Sequence, residues 1–244
     1  MRNDTCRARG GFTVSRLLIA SVAAILLAAC APTTVKQVDR LSTVRENPRI
    51  LLMPPDIRYY LLTAGGVPEP HAEWTEAAQA NFTEALTQYA ASIGSNLKVL
   101  DKRNLSPQEV DYEELHSAVG FTILNNYFGG ASLPSKNGQF DWSLGPGIRE
   151  IGENHDADYA LFVYYRDYQA SGGRVAFAIL AAAAGAASSI GSESGFASLV
   201  DLQTGDVVWF NVVASGSGEL RQEEGAAAAV RTLFKDIPTS SAAE

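Results

Sequence analysis

Between Asp158 and Tyr168 the chain crowds Tyr159, Leu161, Phe162, Val163, Tyr164, Tyr165 and Tyr168 together, with apolar residues on both sides of the alternation. A run of this kind, aromatic and β-branched, belongs to a central strand covered on both faces. A strand so placed needs layers above and below it, and the segments around it alternate between strand-sized runs and helical periodicity.

Arg49-Ile50-Leu51-Leu52-Met53-Pro54-Pro55 is a short apolar strand that ends where two prolines withdraw their backbone donors. Asp56 to His71, with Gly65-Gly66 and Pro68-Glu69-Pro70, reads as a loop carrying an exposed pair, Tyr59-Tyr60. That pair either covers a core edge or meets a partner. Glu73 to Ile93 is a helix, because Trp74, Ala78, Phe82, Leu86, Tyr89 and Ile93 recur along one face, and Gly94 stands where a helix stops. Leu97 to Leu100 is a second strand. Ser106-Pro107-Gln108-Glu109 combines a serine cap, a first-turn proline and a returning glutamate, so a helix starts there and runs toward Phe128. Gly120 weakens its middle.

Leu144 to Asn154 is a third helix with Ile148 and Ile151 inward. Two strands from Phe196 to Val213 flank Gln203-Thr204-Gly205-Asp206, where Gly205 supplies the positive φ of a tight hairpin. A last helix spans Gly218 to Asp236. The resulting fold class is α/β: a mixed sheet of about five strands with helices packed on it, an Ala-rich helical insertion at 173–192 and an N-terminal signal helix. The boundaries are 1–29 for a signal peptide, 30–48 for a polar tether, 49–238 for one domain and 239–244 for a tail.

The amino-terminal segment sets Arg2, Arg7, Arg9 and Arg16 ahead of an uncharged run from Leu17 to Ala29, and ends Leu27-Ala28-Ala29-Cys30. A basic region, an apolar region and small residues before a cut site form a secretory signal. Ending on cysteine, it resembles the bacterial lipobox. That implies cleavage before Cys30, a diacylglycerol on its sulfur and an acylated new amino terminus. An ordinary signal peptide cut near Ala31 and an uncleaved anchor are the competing readings. Ala31, in place of aspartate, favours the outer membrane, so the expected address is its periplasmic face.

The 19 basic and 27 acidic residues give a net charge of −8. Without the leader's four arginines and one aspartate, 15 basic and 26 acidic residues remain, for a net charge of −11. Such a surface repels phosphates and argues against a nucleic-acid partner. The two cysteines, Cys6 and Cys30, go to leader and lipid, so no disulfide, cysteine metal site or cysteine nucleophile is available within one mature chain.

Three stretches together carry a resemblance: Ile50–Pro54, Asp156-Ala157-Asp158-Tyr159-Ala160-Leu161-Phe162, and Ala197 to Trp209 through Leu199-Val200-Asp201-Leu202. With the lipobox, they resemble the curli-secretion-channel (CsgG-like) and related lipoproteins, with a core similar to the amino-terminal domain of TolB. The resemblance implies envelope assembly or secretion, self-association and no enzymatic activity. An obvious pair of amphipathic hairpins for a membrane barrel is missing here.

Val175 to Ser192 holds no charge. Ala178, Ala182 and Ala186, with Ala181 and Gly185, set small residues four apart, which lets helices approach closely. A helix on its own domain or on a partner, a membrane contact and a mobile loop are the three readings, with Gly172-Gly173 a hinge. His71, His116 and His155 lack ligand spacing, and His155-Asp156-Ala157-Asp158 reads as a solvated helix end rather than a metal site. Glu113-Glu114, Glu150, Glu153 and Glu223-Glu224 read as wet helix faces. No Gly-x-Ser-x-Gly elbow or phosphate-binding loop is present. The expected function is therefore that of a lipid-anchored, non-enzymatic envelope protein. It needs no cofactor beyond its covalent lipid, and it self-associates or docks a partner through Ala178, Ala182, Gly185, Ala186, Tyr59 or Tyr60. The alternatives are a small-ligand binder or hydrolase using 56–70, with a pocket at the strand ends, and a monomeric structural spacer.

Overall fold

The long aromatic strand is the axis of the sheet. The computed structural model describes residues 37–39, 48–131, 133–213, 218–235 and 237, all within one compact unit, Val35–Glu244. Its elements are β1 (Gln37–Asp39), β2 (Arg49–Leu52), β3 (Asp56–Leu62), β4 (Pro68–Pro70), α1 (Ala72–Ser92), β5 (Asn96–Val99), α2 (Pro107–Ile123), α3 (Arg149–His155), β6 (Tyr159–Ala170), α4 (Gly172–Ala183), β7 (Gly191–Asp201), β8 (Val207–Val212) and α5 (Glu223–Leu233). The sheet has eight strands in the order β1-β8-β7-β6-β2-β5, with β3 paired to β6 and β4 to β3.

The α/β class and the mixed sheet are as expected. β2, β5, β6, β7 and β8 are the five strands legible in the sequence. β7 runs antiparallel to β6 along nearly its whole length, while β2 and then β3 run parallel on the other side. Residues 159 to 167 of β6 are all buried. Tyr159, Leu161, Val163 and Tyr165 face α1 and α5, and Ala160, Phe162 and Tyr164 face α2 and α3. Each of Leu161, Phe162 and Val163 withdrawn from water contributes about 1.5–3 kcal/mol.

Three strands were not anticipated. Asp56 to Pro70 is not a loop: β3 and β4 form an antiparallel pair in which Tyr60 opposes Pro70 and Leu62 opposes Pro68. The prolines after Met53 do end β2, as read. But β6 continues beyond that point with an unpaired edge, and the chain re-enters the sheet there, Asp56 opposite Tyr164. β1, inside the stretch read as a tether, pairs antiparallel with β8.

Local chemistry sets the remaining elements. At the start of α2, Glu109 N–H donates to Ser106 Oγ at 3.3 Å, and Ser106 N–H donates to Glu109 Oε2 at 2.6 Å, completing the box. Gly120 lies in the middle of that helix because a Cβ would come within 2.1 Å of the Phe196 ring, so the helix sits close on the sheet. The run toward Phe128 ends in one wider helical turn, Leu124–Phe128. Gly205 takes φ +83° between β7 and β8, and Asp201 accepts from Gln203 and Thr204 N–H to close the turn. Leu199 and Trp209 enter one core face and Val200 and Leu202 the other.

Candidate functional site

The β6–β7 arm carries the surface that stands out. Ser171 caps α4 by accepting from Arg174 N–H at 3.2 Å, and its own N–H donates to Leu62 O, tying the helix start to the end of β3. Gly172 and Gly173, read as a hinge, form the first helical turn instead. Only Ala178 is buried along α4. Phe177, Ile179 and Leu180 are 50%, 65% and 70% exposed, and Ile190 just beyond is 61% exposed. The Arg174 guanidinium donates to Ser189 O at 2.9 Å, closing the connection after the helix.

The small-residue face does not form as read. Gly185 takes φ +80° and the helix stops at Ala183, so Ala186 lies beyond it. Ala178 turns into the domain while Ala182 and Ala186 are exposed. The apolar side chains between the alanines, not the alanines, make the surface. At twelve residues α4 is about 18 Å long, short of the roughly 30 Å of a hydrocarbon core. Among the described residues no helix is long and apolar enough to cross a membrane.

Tyr59 and Tyr60 separate, because strand residues alternate faces. Tyr59 is fully buried, its hydroxyl donating to Glu219 Oε1 at 3.2 Å, and burial pushes its pKa well above the usual phenol range. It is therefore not an interface residue. Tyr60, half-buried on the opposite face, stacks on Tyr168 with centroids 4.8 Å apart. Cys30, the cleavage site Leu27-Ala28-Ala29-Cys30 and the tail 239–244 lie outside the described residues.

The histidines do not converge. His71 stacks on Trp74, His155 pairs with Glu109, and His116 is buried against Ser198 Oγ at 2.6 Å. Asp156 and Asp158 both hold Arg49, so this helix end is an ion-pair clamp at the start of β2. Among the described residues no group of three or more His, Cys, Asp and Glu could hold a metal.

The α2 carboxylates are not all on a wet face. Glu109 is buried, and its carboxylate is held below the ordinary range by its bonds to Ser106 and His155, against its burial. Glu113 is half-buried, and burial pushes its pKa up to about 7. It lines an open cleft of about 250 Å³ with Asp56, Arg58, Lys102 and the Pro54-Pro55 kink. The alternative reading placed a pocket at the strand ends beside 56–70, and Asp56 and Arg58 do line this cleft; sequence reasoning missed Lys102 and Glu113, which come to it from the turn after β5 and from α2. A second, apolar hollow lies between α1 and the end of α5, lined by Leu86, Ile93, Leu97 and Phe234.

No family model matches the chain, and no curated protein sequence does. Among solved structures, it is similar to a PelC dodecamer from Paraburkholderia phytofirmans, at 11% identity and a TM-score of 0.36, covering 82% of this chain and 94% of that one. A second PelC dodecamer, a variant from the same organism, gives 11% and 0.37 over 82% and 96%. Lipoprotein GNA1162 from Neisseria meningitidis gives 13% and 0.30 over 78% and 99%. Similarity at this level assigns no family and no function.

Proposed function

We propose that this chain is a non-enzymatic lipoprotein of the bacterial envelope, acylated at Cys30 and held on the periplasmic face of the outer membrane. It works by docking a second copy or an envelope partner during assembly or secretion. The observation that carries the reading is the exposed apolar side of α4, with Phe177, Ile179 and Leu180 in solvent at the end of the β6–β7 arm. A lone exposed leucine is ordinary, but four large apolar groups on one uncharged segment form a contact surface. The lipobox supports the address. The likeness of Ile50–Pro54, Asp156–Phe162 and Ala197–Trp209 to CsgG-like lipoproteins with a TolB-like core supports a role in assembly.

The test replaces Ile179 and Leu180 together with glutamate in the full-length protein. Particle size is then measured by native gels and light scattering in mild detergent. A smaller assembly with unchanged circular dichroism is the expected result. An unchanged assembly removes α4 from the account, and a wild-type particle of one chain with no crosslinked neighbour in intact envelopes favours the monomeric spacer.

A further inference from the structure

The cleft beside α2 sits where the sheet changes direction. From β2 the chain passes through β3, β4 and α1 to β5 on one side, then through α2 and α3 to β6 on the other, so β2 lies between its two parallel neighbours. The helices of those two crossings cover opposite faces of the sheet. In layered α/β sheets the crevice outside the carboxyl ends of the strands at such a point is where ligands bind. Here the crevice is wider still, because Pro54-Pro55 steers the chain from β2 into β3 while β5 stops at Val99. Its volume of about 250 Å³ lies just below the range of drug-sized sites, which suits a small ligand.

Most charge in the cleft is already engaged. The Asp56 carboxylate accepts from Arg58 Nε at 3.0 Å and from Arg166 Nη2 at 2.6 Å. Arg166 also donates to Asp56 O and Tyr165 O and lies 4.0 Å over the Tyr164 ring. Glu114 is exposed. Two groups of opposite sign remain. Glu113 Oε1 is buried and has no hydrogen-bond partner among the described residues. Lys102 lines the same cleft, and its charge favours the ionised form of Glu113 against burial. Leu105, Val110 and the proline kink add an apolar part to the lining. A buried acceptor without a donor is a rarity, satisfied by water, an ion or a ligand.

We propose that this cleft binds a small zwitterion of the amino-acid or short-peptide class, its ammonium on Glu113, its carboxylate on Lys102 and its apolar part on Leu105 and Val110. The arrangement demands both ends of the ligand: a simple cation meets Arg58 and Lys102, and a simple anion meets Glu113, Glu114 and Asp56. The site is independent of α4 and of any assembly.

The dipeptide alanyl-leucine is the probe, titrated into the full-length protein in mild detergent by calorimetry and by saturation-transfer NMR. N-acetyl-alanyl-leucine, which lacks the ammonium, and alanyl-leucinamide, which lacks the carboxylate, are the controls. The zwitterion is expected to bind, and each control to bind at least about tenfold more weakly. Glu113→Gln and Lys102→Met are each expected to weaken the zwitterion at least about tenfold, whereas Arg103→Met, outside the cleft, leaves it unchanged. Equal binding of the three peptides, no binding of the zwitterion, or undiminished binding to Glu113→Gln overturns the proposal. The peptide comparison uses the unaltered protein, so it decides the matter even where a variant fails to fold.

Discussion

His116 is the residue whose surroundings make the sharpest demand on solution conditions. It lies 3% exposed on the sheet-facing side of α2, its ring 4.5 Å from that of Phe162 and its Nε2 sharing a hydrogen bond with Ser198 Oγ. Burial pulls its pKa down to about 3, against an opposing pull from Asp56. A histidine in the unfolded chain titrates near 6.5. Between those values the unfolded state binds a proton that the folded state refuses, so stability falls as pH falls. From about pH 7 to about pH 5 the loss is about 2 kcal/mol for this one group. Glu113 works in the opposite sense. Its folded pKa is raised to about 7, so its contribution is greatest when it is protonated and is lost as pH rises through that value. Discounted for its partial exposure, it returns about 1 kcal/mol over the same acidification. From these two groups the wild type therefore loses about 1 kcal/mol net, whereas the variant His116→Leu with Ser198→Ala gains about 1 kcal/mol. Removing both hydrogen-bond partners leaves neither orphaned. Urea unfolding followed by tryptophan fluorescence, with the buried Trp209 as reporter, measures both proteins at both pH values. The expected contrast is about 2 kcal/mol, or roughly 4–8 °C in Tm. Equal pH dependence of the two proteins would refute the claim that His116 is held uncharged in the core.

Two further outcomes follow from packing and capping. Gly120→Ala places a methyl group 2.1 Å from the Phe196 ring, which is itself stacked against Tyr164 and Phe210 and has nowhere to go. Overpacking of about 1–3 kcal/mol outweighs the roughly 1 kcal/mol that alanine brings to a helix, so calorimetry should show a lower Tm despite the better helix former. Ser106→Ala removes one half of the capping box and should lower the urea midpoint by the equivalent of about 1 kcal/mol.

Much of the architecture is legible in residue order because its causes are local. The double-faced apolar run that becomes β6, the helical stripe through Phe82 and Leu86, the Ser106–Glu109 cap and the Gly205 turn each act within a few residues, through side-chain periodicity or backbone hydrogen bonding. The region from Asp56 to Pro70 defeated such reading. Its glycines and prolines carry loop chemistry, and only the free edge of β6 beyond β2 recruits it as a strand, sending Tyr59 inward and leaving Tyr60 out.

The candidate sites divide in the same way. Residue order alone carries the expectation of a leader and a lipobox at Cys30, and it shows the uncharged character of 175–192 and the absence of nucleophile-elbow and phosphate-loop motifs, because these are statements about neighbours along the chain. Tertiary structure decided that α4 turns its large apolar side chains to solvent and that its alanine spacing breaks at Gly185. It also buried His116 against Ser198, 82 positions away, and brought Lys102 and Glu113 around one crevice. Burial and the approach of unlike charges depend on which distant segments pack together, and that is information no window along the chain contains.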